Sequence, residues 1–273
     1  MQQNVAGIIP AAGAGHFFRH RRKISKLLAV VGGMPVIGHV VKHLKESRAC
    51  STIVVGKNHL YGDEIQKALT NIGHGDLVFI KDHWGLGTAA VLSRAVGLLL
   101  ERGVNHGVMI FADGLFIRPE TISHLVGAHL VRPQPVITML TVPVSKNHPL
   151  AHCFAQYGVV KRDRWGQVCG TIERRAVKSP GDLSDGEHIN PSVFVFNLDW
   201  VDQALPEIRP VAKGNGFIGE FHVTHLLGVA SKQRAAVKEV SLEIPEQAVQ
   251  INTEEDLQVA RQLYQQQRQS STT

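Results

Sequence analysis

A chain of 273 residues, 44% of them hydrophobic, is long and apolar enough to build one large α/β domain, which sets intrinsic disorder aside. Its formal net charge of +6 favours an anionic partner, and free nucleotides or sugar phosphates meet that as well as nucleic acid does. Aromatics are only 6% and do not alternate with basic residues, so a stacking platform for single strands is not expected and nucleic acid is not a predicted partner.

Cys50, Cys153 and Cys169 are odd in number and lack metal-site spacing, as expected of reduced thiols in a cytoplasmic protein. No signal peptide opens the sequence and no apolar run approaches membrane-spanning length, so no membrane is expected.

In chain order, Val5–Pro10 reads as a short buried strand. It runs into Ala11-Ala12-Gly13-Ala14-Gly15 and then a basic segment with Arg19, Arg21, Arg22, Lys23 and Lys26. Glycine-rich loops let backbone N–H groups approach a phosphate, and the cations that follow can neutralise it. An ordinary turn followed by a solvated basic face would look the same, so this stretch alone leaves both readings open. Met34–Ser47 has helical spacing through Val36, Ile37, Val40, Val41 and Leu44, with Pro35 near its start.

Strands are predicted at Thr52–Val55, Leu77–Ile80, Val108–Ala112 and Val136–Val142, and helices at Asp63–Ile72, Thr88–Arg102 and Pro119–Leu130. This alternation predicts an α/β fold with a doubly wound, mostly parallel, Rossmann-like sheet and a ligand site beyond the strands' carboxyl ends. After Pro149 the rhythm changes to a hairpin, Tyr157–Lys161 and Val168–Ile172, joined by Asp163-Arg164-Trp165-Gly166. Ser192–Phe196 and Val240–Ile244 read as strands; Trp200–Leu205, Glu220–Ala230 and Glu254–Gln267 read as helices, with a fraying tail from Gln265. A single domain is expected: residues 1–145 the nucleotide-binding half, 146–250 a small β lobe, and 251–273 a closing helix and tail. No internal repeat and no hexapeptide β-helix pattern occurs.

Several chemistries are tested against these elements. Gly13-Ala14-Gly15 could open a dinucleotide fingerprint, but Phe18 stands where a third small residue is needed and no carboxylate follows the second strand. No GxxxxGK[ST] loop is present. Asp113 follows the fourth strand, where a carboxylate can hold Mg²⁺ against phosphate oxygens or simply cap the next turn. Gly85-Leu86-Gly87-Thr88 could read a base edge, or Thr88 could be a helix N-cap. His16 and His20 lack further ligands at zinc spacing, and no nucleophile elbow appears. Glu173 and Asn190 could bind hydroxyls or stand as solvated strand ends.

Together these positions resemble the nucleotidyltransferase family (GT-A-like), in particular the uridylyltransferase domain of bacterial N-acetylglucosamine-1-phosphate uridylyltransferases. The family's LAAGxGTRMxxxxPKxLxxxxGKPM is similar to IPAAGAGHFFRHRRKISKLLAVVGGMPV here, and its QLGTxHA to Gly85-Leu86-Gly87-Thr88-Ala89-Ala90-Val91. YGDxPLI resembles Phe111-Ala112-Asp113-Gly114-Leu115-Phe116-Ile117, and GYGRIVRDxxGxVxGIVE resembles Gln156 through Glu173. INTGIYVF looks like Ile189–Phe196, EYYLTD like Glu220–His225, and GVNxxxDL like Gln250-Ile251-Asn252-Thr253.

The resemblance implies Mg²⁺-dependent transfer between a nucleoside triphosphate, UTP favoured, and a sugar-1-phosphate. It implies Asp113 and Asn252 as Mg²⁺ ligands and Lys26 as a phosphate-binding cation. Ala11, Ala12, Gly13, Gly15, Asp82, Gly87 and Thr88 would meet the nucleotide; Gly158, Glu173 and Asn190 would surround the sugar. The family's Thr-Arg is replaced by His16-Phe17, and the loop to Lys26 is two residues longer, which puts Arg19 seven residues before Lys26 as the substitute cation. Ser25 replaces a proline and should loosen the approach to Lys26; Asp82 or its neighbours stand where a glutamine reads uracil; His225 replaces an aspartate. Ser25–Pro35 also resembles the PKLLLPLGGKP segment of cytidylyltransferases of the molybdenum-cofactor kind. A binding protein that kept the fold without catalysis is the remaining alternative. The oligomeric state is left open.

Overall fold

The computed structural model describes residues 4–13, 25–82, 86–172, 184–210 and 219–270, with residues 82 and 270 described by backbone alone. The first half is β1 (Val5–Ala11), a 3-10 turn (Lys26–Leu28), a small ribbon of β2 (Val30–Val31) and β3 (Met34–Pro35), and α1 (Val36–Ser47). β4 (Thr52–Asn58), α2 (Gly62–Asn71), β5 (Val78–Asp82), α3 (Thr88–Glu101), β6 (His106–Ile110), α4 (Pro119–Leu130) and β7 (Ile137–Pro143) follow. The second half holds α5 (Ala151–Phe154), β8 (Val159–Arg162), β9 (Val168–Ile172), β10 (His188–Ile189), β11 (Val193–Asn197) and α6 (Leu198–Ala204). It closes with α7 (His225–Gln233), β12 (Val237–Ser241) and α8 (Glu254–Ser270).

Among the described residues ten strands form one sheet, in the order β5-β4-β1-β6-β11-β7-β10-β8-β9, with β12 also paired to β7. β5, β4, β1 and β6 run parallel, as β12 does to β7. β11 is antiparallel to both β6 and β7, and β10 ties β7 antiparallel to the β8–β9 hairpin. The small lobe is therefore a continuation of the main sheet.

β1 shows why the sheet is covered on both sides. Successive side chains of a strand point to opposite faces, so a strand buried on both faces is apolar throughout. Val5 and Ile9 join one buried cluster with Ile37 and Leu44 of α1 and Leu125 of α4. Ala6 and Ile8 join another with Leu92 and Leu99 of α3 and Leu226 of α7. The central parallel strands thus open their carboxyl ends on one edge, between two helical layers.

Several boundaries differ from the sequence-based expectation. The fourth predicted strand ends at Ile110, not Ala112: Gly114 N–H donates to Phe111 O at 2.9 Å, so Asp113 sits in a turn beyond the strand. The helix expected over Glu220–Ala230 begins at His225, because the backbone before it is used elsewhere: Phe221 N–H donates to Leu86 O and Val223 N–H to the Thr88 hydroxyl. Pro35 is in β3, and α1 starts after it. α8 continues through Ser270, past the fraying expected from Gln265. No helix among the described residues is long and apolar enough to cross a membrane.

Candidate active site

β1 delivers Ala11 to the carboxyl edge of the sheet, and Ala12 and Gly13 continue from it. The neighbouring parallel strand fixes that loop: Asn58, last residue of β4, donates its side-chain amide to Ala12 O at 3.1 Å and Gly13 O at 3.5 Å. The Asn58 side-chain oxygen accepts from the N–H groups of Leu60 and Tyr61, so the amide is held from both sides.

Lys26 is positioned by its own turn. The Ser25 hydroxyl caps the 3-10 turn by accepting from Leu27 N–H, Leu28 N–H returns to Ser25 O at 3.0 Å, and Leu27 is buried. Ser25 therefore caps the turn that carries Lys26, while the loop before it, expected to be looser, lies outside the described residues. The Lys26 Nζ lies 2.5 Å from Asp113 Oδ2 and donates to Asn252 Oδ1 at 2.8 Å. Three residues far apart in sequence thus meet through one ammonium group. Asp113 is buried, and its second oxygen, Oδ1, has no hydrogen-bond partner among the described residues. Among the described residues it caps neither a helix nor a turn; its partner is Lys26.

Asn252 is held from both sides in the chain. On one side, the N–H groups of Asn252 and Thr253 donate to Asp256 Oδ2 at 2.9 and 2.8 Å, and Asp256 N–H donates to the Thr253 hydroxyl, a reciprocal cap at the start of α8. On the other, the buried Tyr157 hydroxyl donates to Ala248 O at 2.7 Å and accepts from Gln250 N–H at 2.9 Å. Burial pushes this phenol well above its ordinary pKa, so it remains a neutral donor.

A cleft of about 380 Å³ opens over these groups, lined by Lys26, Asp113 and Asn252 together with Thr88, Phe111, Gln156, Tyr157, Gly158, Asn190, Ser192, His222, Val223, Thr224 and Gln250. Asn190 N–H donates to Gly158 O at 2.8 Å, and its side-chain oxygen accepts from Ser192 N–H, which turns the chain through a left-handed Ser192 at φ 61°. Gly87 precedes α3 at φ 97°, and a Cβ there would come within 2.6 Å of Phe221 O. Thr88 is not the N-cap: it is the first residue of α3, and its hydroxyl accepts from Val223 N–H at 3.0 Å. Leu86–Ala89 and Phe221–Val223 are therefore stitched together along the cleft wall.

Of the residues singled out from sequence, Lys26, Asp113, Asn252, Thr88, Gly158 and Asn190 share this cleft. Ala11, Ala12 and Gly13 stand at the end of β1, and Gly87 is adjacent to Thr88. Gly15, Arg19 and Glu173 lie outside the described residues, as does the side chain of Asp82 at the end of β5. Asn58, Tyr157, Gln250, Thr224 and Asp256 were not anticipated. Tyr157, Thr224, Gln250 and Asp256 lie within the stretches that resemble family motifs but were given no role there; Asp256 also had the Thr253-x-x-Asp256 spacing of a helix cap.

The donor set suits a hard divalent cation. One carboxylate with a partnerless buried oxygen and one amide oxygen match the small protein contribution that Mg²⁺ takes when waters and phosphate oxygens complete its shell. No cluster of three or more His, Cys, Asp or Glu occurs among the described residues, so nothing there resembles a closed cage.

Residues 7–176 match the family model of the MobA-like NTP transferase domain. Over 268 residues the chain is 24% identical to the bifunctional protein GlmU of Dichelobacter nodosus, covering 97% of this chain and 52% of that one. It thus spans about half the length of the curated relatives it matches. A structure of UDP-glucose pyrophosphorylase complexed with UDP-glucose aligns at a TM-score of 0.65 and 15% identity, covering 96% of this chain and 98% of that one. A CMP:2-keto-3-deoxy-manno-octonic acid synthetase complexed with CTP aligns at 0.64 and 14% identity, covering 96% and 99%.

Proposed function

The chain belongs to the MobA-like NTP transferase domain family, and from that premise we propose that it is an Mg²⁺-dependent nucleotidyltransferase. It joins a nucleoside triphosphate, UTP in the first instance, to a sugar-1-phosphate of the N-acetylglucosamine-1-phosphate kind and releases pyrophosphate. The observation that carries this reading is the meeting of Lys26, Asp113 and Asn252 in a cleft that Gly158, Asn190 and Thr88 also line.

An oxygen of the sugar-1-phosphate attacks the α-phosphorus of the triphosphate. The new P–O bond forms as the bond to the α–β bridging oxygen breaks, and pyrophosphate leaves with the electron pair. The attacking phosphate is already anionic at neutral pH, so the chain needs no general base; its work is alignment and charge neutralisation. Lys26 supplies a cation to the phosphates, and Arg19 is proposed as a second. Gly158, Asn190 and Glu173 hold the sugar; Gly87 offers a backbone N–H to the base, beside Thr88 and Asp82. Asp113 and Asn252 would hold Mg²⁺, which when bound neutralises phosphate charge.

The test is a pyrophosphate-release screen over UTP, CTP, ATP and GTP with several sugar-1-phosphates, with and without Mg²⁺. Release with UTP and an amino-sugar phosphate is expected, and Asp113→Ala should abolish it while the protein stays folded. The likeness of Ser25–Pro35 to molybdenum-cofactor cytidylyltransferases favours a second reading, which release with CTP instead would select. Tight nucleotide-sugar binding with no release under any pairing would overturn catalysis altogether.

A further inference from the structure

We propose that Lys26 is a stand-in cation: its ammonium holds the seat between Asp113 and Asn252 until a divalent cation arrives already bound to the triphosphate. This inference rests on the functional reading above and adds an order of events to it. The seat then has no resident metal, and the metal–triphosphate complex, not the free ion, is what the cleft accepts.

The argument is one of charge and position. The ammonium contacts Asp113 Oδ2 at 2.5 Å and Asn252 Oδ1 at 2.8 Å, so it sits on the two oxygens best placed to take a hard cation. Their side chains are mostly covered, 18% exposed for Lys26 and 10% for Asp113, which limits how far water can screen the pair. One carboxylate balances one ammonium. A divalent ion entering beside it would face a like charge over one shared anion, so the free ion is repelled.

Nor can Lys26 leave first. The second oxygen of Asp113 is buried and has no partner among the described residues, so departure of the ammonium would strand the carboxylate without a counter-charge. The exchange must be concerted, and a triphosphate permits it. Its anionic oxygens offer Lys26 an equivalent partner while the cation they carry takes over Asp113 and Asn252. The Lys26 backbone is fixed by the Ser25 cap and buried Leu27, but its four-carbon stem is flexible, so only the ammonium need move.

Mn²⁺ is the probe, followed by the loss of its free-ion EPR signal. Nucleotide-free wild-type protein should leave Mn²⁺ free, and Lys26→Met should bind it roughly tenfold or more tightly, the scale of coupling between competing ligands. Adding Asp113→Asn to that variant should remove the gain. Equal Mn²⁺ affinity in wild type and Lys26→Met, or a gain that survives Asp113→Asn, would overturn the proposal.

If Lys26→Met does not fold, thermal unfolding of the wild type decides. Mn²⁺ should raise the midpoint only when UTP or CTP is also present, and a rise with Mn²⁺ alone overturns the inference. The two readings fail separately. Pyrophosphate release by a protein that binds free Mn²⁺ tightly removes only the stand-in role. A Lys26→Met gain without release under any pairing removes the catalytic reading.

Discussion

Tyr157→Phe removes a single oxygen that two distant backbone groups share. The Tyr157 hydroxyl donates to Ala248 O at 2.7 Å and accepts from Gln250 N–H at 2.9 Å, about ninety residues along the chain. The ring itself would stay, in edge contact with Phe154 at 5.8 Å between centroids, so little apolar packing is lost. Each buried polar group left without its partner costs about 1–3 kcal/mol, and Gln250 is only partly buried, so water can rescue its N–H. One stranded group remains, Ala248 O, so the destabilisation is about 1–3 kcal/mol, to be read from urea unfolding midpoints at unchanged slope. Burial holds the phenol far above its ordinary pKa, so the loss should be the same at pH 6 and pH 9. Asn252 lies two residues beyond Gln250, so the variant should also need several-fold more Mg²⁺ for half-maximal pyrophosphate release. A stability loss below about 0.5 kcal/mol would refute the idea that this hydroxyl anchors the segment.

Gly87→Ala forces a side chain onto a left-handed residue whose Cβ would meet Phe221 O at 2.6 Å. Strain of about 1–2 kcal/mol plus that backbone clash should lower the unfolding midpoint and weaken nucleotide binding, measurable by calorimetric titration with UTP. Gly97→Ala should do the opposite: it is exposed on α3 with nothing within 4 Å of an added Cβ, so helix propensity predicts a gain of about 0.5–1 kcal/mol with turnover unchanged. Acid should destabilise the protein through His129, which burial holds down to about 3 from an ordinary 6.5. The unfolded chain takes up that proton first, so stability falls by about 1.4 kcal/mol per pH unit below 6.5, roughly 2 kcal/mol at pH 5. His129→Leu should flatten that slope by one proton in urea titrations at pH 7 and pH 5; an unchanged slope would remove His129 from the acid response.

The alternating half of the chain was legible because buried parallel strands and one-sided helices write themselves as periodicity. Pro119–Leu130 matched to the residue, since Pro119 can open a helix and Leu130 ends its apolar stripe. Legibility failed where backbone hydrogen bonds are satisfied by a distant partner. Phe221 and Val223 look helical by composition, yet their N–H groups are taken by Leu86 and Thr88, more than a hundred residues earlier. Asp113 was found by its place after an apolar run, but its pairing with Lys26 was not, because no spacing rule links residues 26 and 113. Asn58 and Tyr157 were missed for a related reason: each acts on main-chain atoms, and a side chain's target in the backbone leaves no trace in residue type.

The sheet also decides how the chain can be divided. The family match covers residues 7–176, yet β11, at Val193–Asn197, lies between β6 and β7 and hydrogen-bonds to both. Phe194 and Phe196 from that strand are buried among Ile8, Leu92, Met109 and Met139, on the face that α3 covers. A chain cut at residue 176 would leave β6 and β7 without the strand that joins them and would expose that face. It would also lose Asn190, Thr224 and Asn252 from the cleft. The part of the chain that carries the family match is therefore neither a complete sheet nor a complete site. The less regular second half supplies the central antiparallel strand and one of the two oxygens that hold Lys26.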